Sequence, residues 1–233
     1  MKKAKIINFT MLIIAVILQA VTFCDNPSGY YENGFATGIS NLNKHYDVAL
    51  SLIYVMLPFA FILFLFGGTV QDITHGYGKL LIIRNYSKSK LILKQIGINI
   101  LLLLAVILIQ CGIFAFINPY LNKIEHGMIQ TIIMYFVIVQ AVILLQYYLE
   151  FYMSVQNAQL IIFIYSFFSY YIVQITEENI LLKILLFPSL MFGMQNGAVD
   201  VESSYYIYFG TGMCINLILV ILCIRKFKKS DIF

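Results

Sequence analysis

The chain has 233 residues, 61% of them hydrophobic and only 11% charged, with a formal net charge of +4. Soluble domains carry roughly a quarter charged residues, so this composition excludes a soluble enzyme and marks an integral membrane protein with no room for a separate soluble domain. The basic excess falls in three clusters beside apolar runs, which is not a nucleic-acid-binding pattern.

In chain order, Met1 to Lys5 is basic and Ile6 to Phe23 is an uncharged run of 18 residues, enough to cross a hydrocarbon core about 30 Å thick. No A-x-A cleavage site follows, and Phe23 precedes Cys24 where a lipoprotein signal needs a small residue, so this run reads as a retained span. Asp25 to Asp47 is a polar loop. Val48 to Phe66 is the second span, with Pro58 as a tolerated kink. Thr69 to Lys94 is a long polar link holding five basic residues: Lys79, Arg84, Lys88, Lys90 and Lys94. Within it Ile73, Tyr77, Leu80 and Leu81 recur at helical spacing, with Asp72, Thr74, His75 and Lys79 opposite, which predicts a short amphipathic helix.

Ile96 to Ile117, Met128 to Leu149 and Ala158 to Ile175 are the third, fourth and fifth spans. Ile180 to Phe192 is apolar for only 13 residues and contains Lys183 and Pro188, so it is too short to cross and reads as re-entrant or interfacial. Tyr205 to Ile224 is the sixth span, and Arg225 to Phe233 is a basic tail. The expected fold is therefore all-α: one permease-like domain over 1–233, six transmembrane helices, an amphipathic helix between spans two and three, and a short re-entrant or interfacial segment between spans five and six.

Positive charge sets the orientation. With both termini in the cytoplasm, three basic residues at the start, five in the link and four in the tail lie inside, and only Lys44, Lys123 and Lys183 lie outside. The abundance of Ile, Asn, Lys and Tyr suits an AT-rich bacterial genome, hence a multi-pass protein of a bacterial plasma membrane.

Catalytic patterns are missing. Gly76 to Lys79 (GYGK) has Leu80 where a phosphate-binding loop needs Ser or Thr, and Ile73 where it needs its first glycine. Glu177-Glu178 resembles the glutamate pair of CAAX-type intramembrane proteases, but Leu182 stands where that pattern has Arg. Cys24, Cys111, Cys214 and Cys223 show no metal-like spacing and read as small packing residues. No span has an ionisable residue at its middle, which disfavours a transporter driven by its own ion gradient. The in-span amides Gln19, Asn99, Gln110, Gln140, Gln174 and Asn216 read as bonds between helices.

The layout resembles an ABC-2 type exporter permease. The local match lies in Asp72, Gly76, Leu80-Leu81, Ser87-Lys88 and Lys94 of the link, and in the tail Phe227-Lys228-Lys229-Ser230-Asp231-Ile232. It departs in having Asp for the usual Glu and no Pro before Ser87, which leaves the subfamily open. The resemblance implies a dimer, with a second copy or a sister permease, docked on two cytoplasmic ATP-binding subunits. ATP and magnesium would sit on those subunits, with no cofactor, metal or catalytic residue in this chain. Asp72 to Lys79, Gly76 included, would be the coupling helix, with Ile73 and Tyr77 as apolar anchors and Asp72, His75 and Lys79 setting register. Lys183, Pro188, Asp200 and Glu202 would belong to an outer gate or re-entrant element. The compact size is similar to that of small peptide or bacteriocin export and immunity permeases, which implies an amphipathic or hydrophobic peptide substrate moving outward.

Two alternatives stay open. The link helix could rest on anionic membrane lipids and engage no ATPase. The whole protein could be a non-transporting immunity or sensor protein that binds a toxin or partner in the bilayer.

Overall fold

The computed structural model describes residues 2–24, 45–75, 87–117, 126–175, 180–191 and 202–229, with side chains described over 5–21, 56–74, 87–117, 129–173, 180–191 and 205–229. Among the described residues the chain is helical throughout and contains no strand. Its helices are α1 (Lys2–Cys24), α2 (His45–Phe66), α3 (Thr69–His75), α4 (Lys88–Ile117) and α5 (His126–Glu150), followed by α6 (Val155–Ile175), α7 (Ile180–Leu185), a 3-10 helix (Phe187–Met191) and α8 (Glu202–Lys229).

Among the described residues four helical stretches are long and apolar enough to cross a membrane: Met56–Thr74, Lys88–Ile117, Ile129–Glu150 and Tyr205–Lys229. These make the chain an all-helical protein of membrane type. The described apolar stretch of α1, Lys5–Val21, is shorter, and α6 carries Gln156, Asn157, Gln159, Ser166 and Ser169 among its apolar residues. The outward surface agrees with a lipid setting. Leu101, Leu108, Leu160, Phe168 and Leu217 are exposed, and Phe116 is 88% exposed. In water such faces would be polar; against acyl chains they cost nothing.

The bundle is assembled on α5. Met134, Ile138, Val139, Ala141, Val142, Ile143 and Leu144 of this helix are all buried, and α5 packs on α8, α6, α4, α3 and the 3-10 helix. Its contact with α8 is close because of Gly212, where a methyl group would come within 2.9 Å of Val137 Cγ1. One turn on, Asn216 Nδ2 donates to the Val137 carbonyl at 2.9 Å. A small residue and an amide together are a common way to bring two membrane helices into register.

Contacts at one end fix the direction of every long helix. Lys5 of α1 pairs with Asp72 of α3, Gln159 of α6 reaches Leu63 of α2, Asn99 of α4 reaches Tyr147 of α5, and Phe151 beyond α5 packs on Phe227 of α8. The starts of α1, α4 and α6 therefore meet the ends of α2, α5 and α8, and the long helices alternate. Both ends of the described chain lie at this end of the bundle; α7 and the 3-10 helix lie at the other.

Several boundaries differ from the sequence reading. The third span was expected from Ile96, but α4 begins at Lys88, because Leu91 and Ile92 extend the buried face of Ile96, Asn99 and Leu103. The basic tail is largely the last turns of α8, held in the helix by Phe227, which is fully buried. Lys226, Lys228 and Lys229 there complement the negative end of the helix dipole. The segment between the fifth and sixth spans divides in two. In α7, Ile180, Leu181 and Leu185 are exposed, whereas Phe187 to Met191 of the 3-10 helix are all buried. The loop 25–44 and the Glu177-Glu178 pair lie outside the described residues.

Candidate functional site

The second apolar run does not simply end at Phe66. Gly67 and Gly68 form a turn from which α3 leaves, and Gly68 has φ +78, a backbone region open to glycine and strained for other residues. Ending α2 and starting α3 within two residues leaves backbone donors without helical partners. Glu150, the last residue of α5, supplies the acceptors. Its Oε1 accepts from the Gly68 N–H at 3.0 Å and its Oε2 from the Val70 N–H at 3.3 Å. One carboxylate thus spans the turn and the first residues of α3.

Glu150 is only 6% exposed, so this is an inward-facing acid. A third donor, Gln146 Nε2, reaches Oε1 at 3.1 Å. Among the described residues no cation lies within ion-pair distance of Glu150. Its charge is therefore held by three neutral donors, and charge-assisted bonds of this kind are stronger than neutral ones.

Two glutamines complete the joint. Gln146 of α5 and Gln159 of α6 both donate to the Leu63 carbonyl, at 3.3 and 3.2 Å, tying the end of α2 to both neighbours. They reach it because Gly67 has no side chain. A methyl there would collide with the Gln159 amide nitrogen and stand 3.1 Å from that of Gln146. On the next face, Gln95 Nε2 donates to Asn99 Oδ1 at 3.3 Å and Asn99 Nδ2 to Tyr147 Oη at 2.6 Å, joining α4 to α5. At the rim, Lys5 Nζ meets Asp72 Oδ2 at 3.3 Å, joining α1 to α3.

The arrangement offers no nucleophile–base pair, and among the described residues no group of three or more His, Cys, Asp or Glu side chains could hold a metal ion. What it does is hold helices together. Six helices, α1 to α6, are joined around the turn from which α3 leaves.

The residues singled out in the sequence fall in three groups. Asp72 is half-buried and paired with Lys5 inside the chain. Ile73 is 6% exposed and belongs to the main core, so it anchors α3 to its own bundle; it is not a free apolar contact for a partner. His75 is the last residue of α3, with its side chain outside the described residues, and Gly76, Tyr77 and Lys79 lie wholly outside them. At the far end, the Lys183 ammonium sits 5.7 Å from the Tyr208 ring centroid and Pro188 is buried in the 3-10 helix. Glu202 opens α8 with its side chain outside the described residues, and Asp200 lies outside them altogether. Asp72 and Ile73 are thus brought together with Glu150, while Lys183 and Pro188 belong to the opposite end of the bundle.

Sequence reasoning missed Glu150, Gln146, Gln159 and the Gly67-Gly68 pair. The available signals were two glycines at the exit of one apolar run and an acid closing another.

Comparison with known proteins agrees over nearly the whole chain. The family described as "Protein of unknown function (DUF2705)" matches residues 12–233. The chain is also similar to "Uncharacterized protein YybK" of Bacillus subtilis (strain 168), 28% identical over 257 residues, covering 97% of this chain and 96% of that protein. No solved structure matches it. With the match running from within α1 to the last residue, the chain belongs to the DUF2705 family.

Proposed function

We propose that this protein is the transmembrane subunit of an ATP-driven exporter of the ABC-2 type. In this reading α1, α2, α4, α5, α6 and α8 are six spans with both termini in the cytoplasm of a bacterial cell. The link that begins with α3 receives force from a separate ATP-binding subunit. The observation that carries the reading is the construction around Gly67-Gly68. A short helix leaves a span at a glycine turn and is fixed to the bundle from two sides, by Glu150 and by Lys5. A helix meant only to rest on lipid has no need of such a mount; a helix that transmits motion does. The basic residues Lys88, Lys90, Lys94, Arg225, Lys226, Lys228 and Lys229 gather at the same end, as an inner face requires.

The functional unit is then two permease chains, alike or sister, with two ATP-binding subunits that hold ATP and magnesium. The substrate class is an amphipathic or hydrophobic peptide, taken from the membrane or the cytoplasm. The segment with Lys183 and Pro188, continuing to Asp200 and Glu202, borders its exit. Since Ile73 is inward, docking falls to Gln71, which is exposed on α3, and to His75, Gly76, Tyr77 and Lys79 of the link, whose side chains lie outside the described residues.

Co-purification from native membrane in mild detergent tests this, comparing wild type with Gln71→Arg plus Tyr77→Asp. Recovery of an ATP-binding subunit with wild type and its loss with the double variant is the expected result. If no ATPase accompanies wild type, a non-transporting immunity or sensor protein replaces the exporter. Equal recovery with both keeps the exporter and moves the docking site.

A further inference from the structure

We infer that Glu150 makes the link helix and α5 a single lever, so that displacement of α3 is delivered along α5 to the buried 3-10 helix at the opposite end. The inference does not depend on which partner moves the link. It rests on how α3 is attached. Covalently, α3 follows α2, but a glycine pair with a positive φ separates them, and such a turn by itself is a pivot. One hydroxyl ties α3 back to α2, Thr69 Oγ1 donating to the Phe66 carbonyl at 2.6 Å, but the backbone amides of the turn and of the first turn of α3 look to α5. Gly68 and Val70 both donate to Glu150 on α5, one to each carboxylate oxygen. A single bond would allow α3 to swing about it; two bonds, spaced along the start of the helix, fix its direction relative to α5. Val70 and Ile73, both buried in the main core, add the apolar side of the same joint.

The rod is suited to the task. From Ile129 to Glu150, α5 contains neither proline nor glycine, so nothing in it invites a kink. Its 22 residues reach about 33 Å at 1.5 Å per residue, the thickness of a membrane core. Packed helices move as bodies and do not deform continuously, so a push at Glu150 arrives at the other end.

Away from the joint α5 packs on the 3-10 helix, whose five residues are all buried and which also packs on α6, with Phe187 beside Tyr165 midway along that helix. This segment is the part of the far end able to respond. It is short, Pro188 removes one backbone donor, and Ser189 keeps a local bond to the Leu186 carbonyl at 3.0 Å. Contacts with α6 include Tyr165 Oη donating to the Leu185 carbonyl just before the segment at 2.6 Å, and the Tyr165 and Phe187 rings edge to face at 6.0 Å. A shift of α5 against α6 changes the slot in which this segment sits.

Hydrogen exchange on the full chain in lipid nanodiscs, read by mass spectrometry, tests the lever. The push is Lys5→Asp, which sets a like charge against Asp72 and drives α3 outward. With Glu150 present, exchange at Ser189 to Met191 should rise about fivefold, the low end of coupling free energies between sites. In the Glu150→Gln background the same push should raise exchange only at Gly68 to His75. An equal rise at Ser189 to Met191 in both backgrounds overturns the role of Glu150, and no rise in either overturns the lever. Should Glu150→Gln not yield folded protein, Glu150→Asp serves the same comparison, because the shorter acid cannot reach both amides.

Discussion

The two ends of the bundle solve one problem in opposite ways. Each contains a place where one helix stops and a short one begins, and each such break frees backbone groups that lipid cannot satisfy. At the Gly67-Gly68 turn the solution is polar and directional, with one carboxylate and two glutamine amides meeting named backbone atoms. Between Leu185 and Met191 the solution is burial, in which a tight helix keeps its own bonds and apolar side chains fill the space. The first design fixes a direction. The second fixes a volume and leaves direction free. In the proposed exporter a force-receiving joint needs the former, and an element that yields when its neighbours shift needs the latter.

The sharpest way to break this contrast is Glu150→Leu. It leaves the Gly68 and Val70 N–H groups without their acceptor and takes one of two partners from the Gln146 amide, and a loss of about 3 kcal/mol is expected. The unfolding midpoint in detergent should fall well below that of wild type; an unchanged midpoint would mean that the joint is not structural. Next comes Gly67→Ala, whose methyl group displaces the Gln159 amide at a cost of about 2 kcal/mol. Adding Gln159→Ala to it should recover part of the midpoint, since the clash is then gone, and an additive loss would place the strain elsewhere.

At the other end Tyr165→Phe removes one hydroxyl from the Leu185 carbonyl and should cost about 1 kcal/mol. Because packing dominates there, exchange at the 3-10 helix should rise without change at Gly68 to His75. The smallest effect belongs to Lys5→Met. Its pair with Asp72 is partly exposed, so at most about 0.5 kcal/mol is expected, shrinking further as salt is added. A large, salt-resistant effect would promote the Lys5–Asp72 contact from rim to core of the joint.

Much of the fold was legible because lipid imposes a simple rule on composition: an uncharged run of sufficient length becomes a helix that crosses. The odd segment at Ile180 to Phe192 was visible from its length alone. Its division into an exposed α7 and a buried 3-10 helix was not, because all its residues but Lys183 are of types that suit either setting.

The joint was half legible. Asp72 and Ile73 were singled out, but on the assumption that an amphipathic helix turns its apolar face to a partner or to lipid. The bundle itself claims Ile73, because α3 leaves α2 at an angle set by Gly68 and lands on α5.

What the sequence by itself determined is the class of protein, the position of each apolar run and the end at which positive charge collects. These depend on local length and composition, which tertiary packing cannot override in a membrane. Only the tertiary structure decided which polar residues act together. Glu150 lies about eighty positions from Gly68 and Val70, and Gln159 nearly a hundred from Leu63. No periodicity links such residues. Their meeting is a consequence of α5 sitting at the centre of the bundle, with its last residue level with the turn where the link begins.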